Sequence, residues 1–493
     1  MIIQQREHAA CGGHLIKEES AMSIPITLGQ TGSAVSPLVY GGFIEHLFNC
    51  ITGGVYQPGH ALSDENGFRL DVLDKVKKLA PPVVRFPGGT VMCLYHWQDA
   101  VGPMEGRIRR QNRIWGGEID PGFGTAEFVT WCRKIGAEPM ICVNLASGTP
   151  EEAANWVEYC NGTGNTYFAN LRRSHGWAEP FGVKYWCIGN ECYAEPDIGI
   201  QNDVDIYIRD AREFIKWMKL TDKTIQTVIV GSDDMDWNRR VLDALHPMTD
   251  FFSYHHYSSE GGMGLYGPFA GEKNLLDALR RLSDLIDEYP EQVENFSPWY
   301  RFPPRQSKIR LALDEWNVWN ADSSPTYGLD AVYNWRDAVW VASAMNDILA
   351  CESIGMANLA QLVNVIAPIL TTDTGSYWQT IAYPLLAARE HMLDRRVEVQ
   401  LDSPVLSTPA GEIKALNVCA LRQADGSLHL CAVNRDFAHS HGIALGGPCE
   451  VHELCAPALS VCTQENCCVQ ERRYKAQDEV ILPPGAVCFI RRG

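Results

Sequence analysis

Two glutamates stand out by their surroundings. Glu191 closes VKYWCIGNE (183–191) and Glu315 lies in IRLALDEWN (309–317). Each follows an apolar β-type run, and each has Asn and aromatic residues beside it. A lone glutamate is most often a solvated or ion-paired surface group. Two carboxylates brought from distant parts of a chain to one opening are what glycosidic cleavage needs. One protonates the leaving oxygen, and the other attacks the anomeric carbon or activates a water.

The elements that would position them repeat along the chain. Short apolar runs occur at VYGGFIEH (39–46), PVVRFPGG (82–89), PMICVNL (139–145), VKYWCIGNE (183–191), TVIVGS (227–232), FFSYHHY (251–257), IRLALDEWN (309–317) and GMANLAQLVN (355–364). Between them lie segments of helical period. In ENGFRLDVLDKVKKLA, for example, Phe68, Val72, Val76 and Leu79 share one face. Near-continuous apolar strands alternating with amphipathic helices predict a parallel sheet covered by helices. Eight such units predict a closed (β/α)₈ barrel, whose reactive groups gather at the C-terminal ends of the strands. An open doubly wound sheet would want a phosphate-binding glycine turn after its first strand, and GGFIEH supplies none.

Other strand ends carry polar residues of the kind a sugar requires: Glu45, Arg85, Asn144, His255-His256-Tyr257, Gln361 and Asn364. A polyhydroxylated ligand needs fixed donors and acceptors together with aromatic faces for its C–H surfaces. Trp97, Trp299, Trp316, Trp319 and Trp378 are candidates for those faces, although a single Trp is more often core. Arg85 interrupts an apolar strand, which suits a partner that keeps a nucleophilic carboxylate ionised. The acid partner is expected to titrate above a free Glu. His255 and His256 are adjacent, so in a strand their rings point to opposite faces and do not share an ion. No metal is expected in the site.

After about residue 390 the pattern changes to short strands separated by Gly, Pro, Asp and Asn turns. This predicts an antiparallel β-sandwich, jelly-roll-like, over 386–493, following a barrel over 38–385. The segment 1–37 precedes the barrel and is expected to contribute a strand, SIPITLG, to the sandwich. The net charge of −18 disfavours nucleic acid as partner. No apolar stretch is long enough for a membrane span, and the first twenty residues do not read as a signal peptide. Many of the 17 cysteines lie inside apolar runs, as buried thiols of a cytoplasmic protein do. Cys455, Cys462, Cys467 and Cys468 lack the paired C-x₂-C spacing of a structural zinc site.

Taken together and in order, GGFIEHLFNCITGGVYQPGHALSDENGFRLDVL, PVVRFPGGT, YHWQDAVGP, FGTAEFVTWCRKIGAEPMICVNLASGTPEEAANWVEYCN, VKYWCIGNE, LALDEWNVW and LAQLVNVIAPILT resemble family 51 of the glycoside hydrolases, typified by α-L-arabinofuranosidases. The resemblance implies that Glu191 is the acid/base and Glu315 the nucleophile. It implies that Asn190 hydrogen-bonds the sugar's 2-hydroxyl and that Glu45, Arg85, Tyr257 and Gln379 line the glycone site. Thr90, which stands where the family usually has Asn, His256, in place of its Gln, and Trp316 complete the expected substrate-binding set. It further implies retention through a covalent glycosyl-enzyme, no cofactor, and a homo-oligomer, often a hexamer in this family. The expected substrate is a terminal arabinofuranosyl residue of an arabinoxylan- or arabinan-derived oligosaccharide. The residues alone leave two other readings open: the same machinery on another furanoside, a β-xyloside or a β-glucoside, or a non-catalytic sugar-binding barrel.

Overall fold

The computed structural model describes residues 23–194, 197–294 and 296–493. The stretch 1–22, on which the expectation of no signal peptide rests, lies outside the described residues. The chain enters through a long strand, β1 (Ile24–Ala34), and then runs round a barrel of eight strands: β2 (Gly41–Phe43), β3 (Val83–Phe86), β4 (Glu138–Val143), β5 (Tyr185–Ile188), β6 (Gln226–Ile229), β7 (Phe251–Ser258), β8 (Arg310–Val318) and β9 (Ile354–Leu359). Each pairs parallel with the next, and β9 pairs with β2 to close the barrel. The strands read as unbroken apolar runs because both faces are covered: Val83, Val84 and Phe86 are buried, as are Met140–Val143 and Leu311–Leu313.

Helices cover the outside: α1 (Leu70–Leu79) follows β2, and α2 (Thr125–Ile135) follows β3. Next come α3 (Pro150–Asn161) and α4 (Tyr167–Ser174) after β4, α5 (Val204–Thr221) after β5, and α6 (Met235–Leu245) after β6. The last three, α7 (Gly267–Asp287), α8 (Trp335–Ala350) and α9 (Ala382–His391), follow β7, β8 and β9. In α1 the buried stripe is Val72, Leu73, Val76 and Leu79, with Phe68 buried just before the helix begins. α8 is buried almost all round because it lies between barrel and C-terminal domain. Asn346 donates from α8 to the Cys431 carbonyl, and Arg435 reaches back to the Ser343 hydroxyl. No described helix is long and apolar enough to cross a membrane.

The C-terminal strands are β10 (Arg395–Leu401), β11 (Leu416–Arg422), β12 (Leu428–Asn434), β13 (His441–Ala444), β14 (Cys449–Cys455), β15 (Gln470–Ala476), β16 (Glu479–Leu482) and β17 (Val487–Arg492). With β1 they form one nine-stranded sheet, in the order β15-β14-β17-β12-β11-β10-β1-β13-β16. All neighbours are antiparallel except β1 and β13. Two register shifts in β1 let one strand pair with β10 along most of its length and with β13 at Ile24 and Pro25. The two halves of the sheet therefore share a core, in which Val397, Ala420 and Leu430 meet Ile443, Val480 and Leu482. The four-cysteine cluster forms no group of three metal ligands among the described residues. Cys462 and Cys468 hold their sulfurs 3.5 Å apart, and the Cys467 sulfur lies 2.9 Å from the Tyr383 hydroxyl.

Candidate active site

Glu315 lies on β8, inside the barrel mouth. Between Ala312 and Glu315 this strand carries one residue more than its partner β7, where Ser253 and His255 are the matching positions. The bulge turns two successive carboxylates inward. Asp314 accepts from the Ser253 hydroxyl and lies 3.7 Å from Arg85 Nε, while Glu315 Oε1 accepts from Arg85 Nη1 at 2.6 Å. Tyr257 donates to Glu315 Oε2 at 2.7 Å. Arg85, fully buried on β3, also donates to Asn190 Oδ1 at 2.6 Å and faces the Cys142 thiol.

Glu191 sits one turn beyond the end of β5. Gly189 (φ 87°) and Glu191 itself (φ 43°) both occupy the left-handed region, so the GNE turn folds sharply back over the mouth. Glu191 Oε1 lies 2.8 Å from His255 Nδ1 and accepts from the Tyr193 hydroxyl at 3.4 Å. His255 Nδ1 is also 3.6 Å from Glu315 Oε2, and its Nε2 is 3.4 Å from Asp314. One oxygen of each glutamate and a ring nitrogen of His255 all lie within 4.8 Å of one another. The nearest oxygens of the two carboxyl groups are therefore no more than 4.8 Å apart across the mouth.

Electrostatics divide the roles. Burial pushes Glu191 up, but the hydrogen bond and charge of His255 and the charge of Arg85 outweigh it, so its carboxyl titrates below the usual value. Burial pushes His255 down, yet the charges of Glu315 and Asp314 and the hydrogen bonds to Asp314 and Glu191 carry it well above an ordinary imidazole. The expectation that Glu191 itself titrates above a free Glu is therefore corrected. The pair holds its proton on the imidazole, because the imidazole faces three carboxylates at once. These same three side chains could geometrically surround an ion. The Arg85 guanidinium against Glu315 already supplies the cationic charge there.

Glu45, just past β2, forms the buried floor. Its Oε1 accepts from the Val91 amide at 2.9 Å and Trp115 Nε1 at 3.2 Å, and its Oε2 accepts from Gln361 at 3.0 Å. The PGG turn must be glycine to admit it: a Cβ on Gly88 would meet Glu45 Cγ at 2.7 Å, and one on Gly89 would meet Oε2 at 2.6 Å. Burial pushes Glu45 up to about 7, with the nearby Glu315 charge adding to it. Asp197 is raised to about 6 by burial and by the charge of Glu191, and Thr90 hydrogen-bonds it. Among the described residues Asn190 Nδ2 and Gln361 Oε1 are buried with no hydrogen-bond partner, which leaves them for a ligand's hydroxyl groups.

Several residues expected to line the site are used elsewhere. Strand alternation puts His255 in the mouth and His256 on the outer face, where it contacts Ser258 and stacks near Trp340. His255, not His256, is the site histidine. Trp316 follows Glu315 and so also turns outward, buried against Trp340 and away from the mouth. The Gln379 amide is fully engaged with backbone, accepting from Tyr333 and donating to Ala331 and Ala367, so it braces the loop behind the pocket. Asn144 and Asn364 likewise fix their own loops, and Trp97 stacks on Trp156 in the core. Of the candidate aromatic faces, Trp319 packs edge-on to Tyr257 beside Glu315. Trp115, Tyr193 and Asp197 were not legible from sequence. All three sit in irregular loops, where no periodicity says which way a side chain turns.

Comparison with known proteins bears on the family and the fold. The family described as "Alpha-L-arabinofuranosidase 1 domain" matches residues 75–278, and "Alpha-L-arabinofuranosidase C-terminal domain" matches 314–468. The chain is 38% identical to alpha-L-arabinofuranosidase C of Emericella nidulans, over 97% of this chain and 98% of that protein. It is 37% identical to intracellular exo-alpha-(1->5)-L-arabinofuranosidase 1 of Bacillus subtilis, over 75% of each. Among solved structures, the thermostable GH51 alpha-L-arabinofuranosidase from Thermotoga petrophila superposes with a TM-score of 0.86 at 33% identity, covering 96% of this chain and all of that one.

Proposed function

We propose, for a chain that belongs to family 51 of the glycoside hydrolases and is an α-L-arabinofuranosidase, that it acts by double displacement with Glu315 as nucleophile and Glu191 as acid/base. The observation that carries this reading is the close approach of the two carboxylates, with Arg85 and Tyr257 on one and His255 on the other. Arg85 and Tyr257 hold the two oxygens of Glu315 and aim the carboxylate, which lets an oxygen attack the anomeric carbon and form a glycosyl ester. The leaving oxygen takes its proton through Glu191, to which His255 passes the proton it holds across the 2.8 Å contact, so that Glu191 is left ionised after the first step. In the second half Glu191 removes a proton from water, which opens the ester and returns the sugar with its configuration retained.

The unpaired Asn190 Nδ2 and Gln361 Oε1, with Glu45 below, hold the sugar's hydroxyl groups. Asn190 is the partner of the 2-hydroxyl. Glu45, close to neutrality, can both give and accept hydrogen bonds. Action is from the non-reducing end on arabinan- or arabinoxylan-derived oligosaccharides, a reading supported by the exo-acting name of the Bacillus relative. That relative's intracellular designation and the many unpaired buried thiols support a cytoplasmic enzyme, and the family resemblance supports a homo-oligomer.

The test is product analysis on such oligosaccharides, with methanol as acceptor so that the anomer is trapped. Methyl α-L-arabinofuranoside supports the reading. The β-anomer overturns retention, and turnover of xylosides without arabinofuranosides overturns the glycone. The second glycone remains a defined alternative because Thr90 and Asp197 form a contact that an Asn at position 90 would replace.

A further inference from the structure

A second cluster of ionisable side chains lies far in sequence from the catalytic pair, where the last barrel helix meets the C-terminal sheet. His391 ends α9, and His452 lies on β14 between Arg473 of β15 and Phe489 of β17. His391 Nε2 and His452 Nδ1 are 3.0 Å apart, and Glu390 Oε1 is 3.6 Å from His391 Nε2. Both rings pack against Phe489 at the edge of a surface cavity of about 620 Å³. His452 is only 6% exposed, and its Nε2 makes no hydrogen bond among the described residues. That atom lies 2.9 Å from Glu471 Oε1, but off the line a hydrogen bond requires.

From this geometry we infer that His391, His452 and Glu390 form a binding site for a divalent transition-metal ion of the kind imidazole favours, which ties the end of the barrel to the C-terminal sheet. Two imidazole nitrogens and a carboxylate within 4.8 Å of one another can converge on one ion. Metal–nitrogen bonds of about 2.0–2.1 Å at a tetrahedral angle place two nitrogens about 3.3 Å apart, so the rings need to open by only a few tenths of an ångström. The charge of Glu471, 2.9 Å from His452 Nε2, favours the proton on that nitrogen and leaves the Nδ1 lone pair for the ion. Arg473, itself half-exposed, now pairs with Glu390 at 3.0 and 3.1 Å and occupies the place of the cation. Binding displaces it into solvent. Two imidazoles and one carboxylate suit Ni²⁺, Zn²⁺ or Cu²⁺ better than the oxygen-seeking Mg²⁺ or Ca²⁺.

The test is Ni²⁺ titration of the whole protein by calorimetry, since Ni²⁺ is drawn to imidazole more than to the chain's thiols. Wild type is expected to bind one Ni²⁺ that both His391→Gln and His452→Gln lose, with affinity down about 10-fold or more, while arabinofuranosidase activity without metal stays the same. Glu471→Gln should weaken binding about 10-fold through the tautomer. Arg473→Gln should strengthen it by a similar factor, an effect that loss of folding cannot imitate. Added Ni²⁺ should raise the melting temperature of wild type and of Arg473→Gln but not of the histidine variants. No Ni²⁺ binding by wild type, or equal binding by the histidine variants, overturns the proposal.

Discussion

His255 Nδ1 lies 2.8 Å from Glu191 Oε1, and the same ring nitrogen is 3.6 Å from Glu315 Oε2. One imidazole thus faces both carboxylates of the proposed catalytic pair, and on that proposal it holds the proton for the first step. Replacing His255 by Asn removes the group whose titration is carried well above the ordinary histidine range. The proton must then be held by Glu191, which loses its strongest depressing partner but remains a carboxylic acid. The alkaline limb of kcat/KM is expected to move to lower pH in His255→Asn, measured on an aryl arabinofuranoside. An unmoved limb would separate His255 from proton supply.

Glu315→Ala removes the attacking oxygen and leaves Arg85 with Asp314 as its remaining carboxylate partner. Turnover is expected to fall by about 10⁴-fold or more, with oligosaccharide binding retained. Single-turnover measurements with the wild type should show an arabinosyl ester on Glu315 by mass spectrometry. An ester on any other residue would reassign the nucleophile.

Glu191→Ala takes away protonation and water activation but not the nucleophile. Substrates with poor leaving groups should lose about 10²–10⁴-fold, and those with good leaving groups less. Azide should restore deglycosylation and yield an arabinosyl azide of retained configuration. Absence of rescue with an activated substrate counts against the acid/base role.

Tyr257→Phe deletes one hydrogen bond to the Glu315 carboxylate, a contribution of about 1.5–3 kcal/mol. A loss of about 10–100-fold in kcat is expected, with KM changed less, because the bond aims Glu315 and does not hold the sugar. A change in KM alone would place Tyr257 in binding only.

Glu45 offers a check through stability. Its carboxyl is raised from 4.5 to about 7, so between these values the folded chain keeps a proton that the unfolded chain has released. Stability is then fully present below pH 4.5 and falls as pH rises to 7, by roughly 3 kcal/mol from this group. Glu45→Gln cannot titrate. Its stability relative to wild type should therefore rise across that interval, read from melting temperatures at pH 4.5 to 8. A constant difference would mean that Glu45 is ionised throughout.

The sequence by itself determined the barrel, the two glutamates and the arginine, for a local reason. A buried parallel strand must be apolar, so a charged residue at its end shows against its neighbours, and Glu191, Glu315 and Arg85 are visible as interruptions. Only the tertiary structure decided which way neighbouring side chains turn. The extra residue in β8 brings Asp314 and Glu315 into the mouth together, while strict alternation in β7 admits His255 and sends His256 out against Trp340. Trp115, Tyr193 and Asp197 reach the site from loops, and Gln379 is drawn off by three backbone partners. The location of the proton is likewise a property of the assembled cluster, since it depends on how many carboxylates face one imidazole. Composition fixes which charges exist, but their distances set where each one settles.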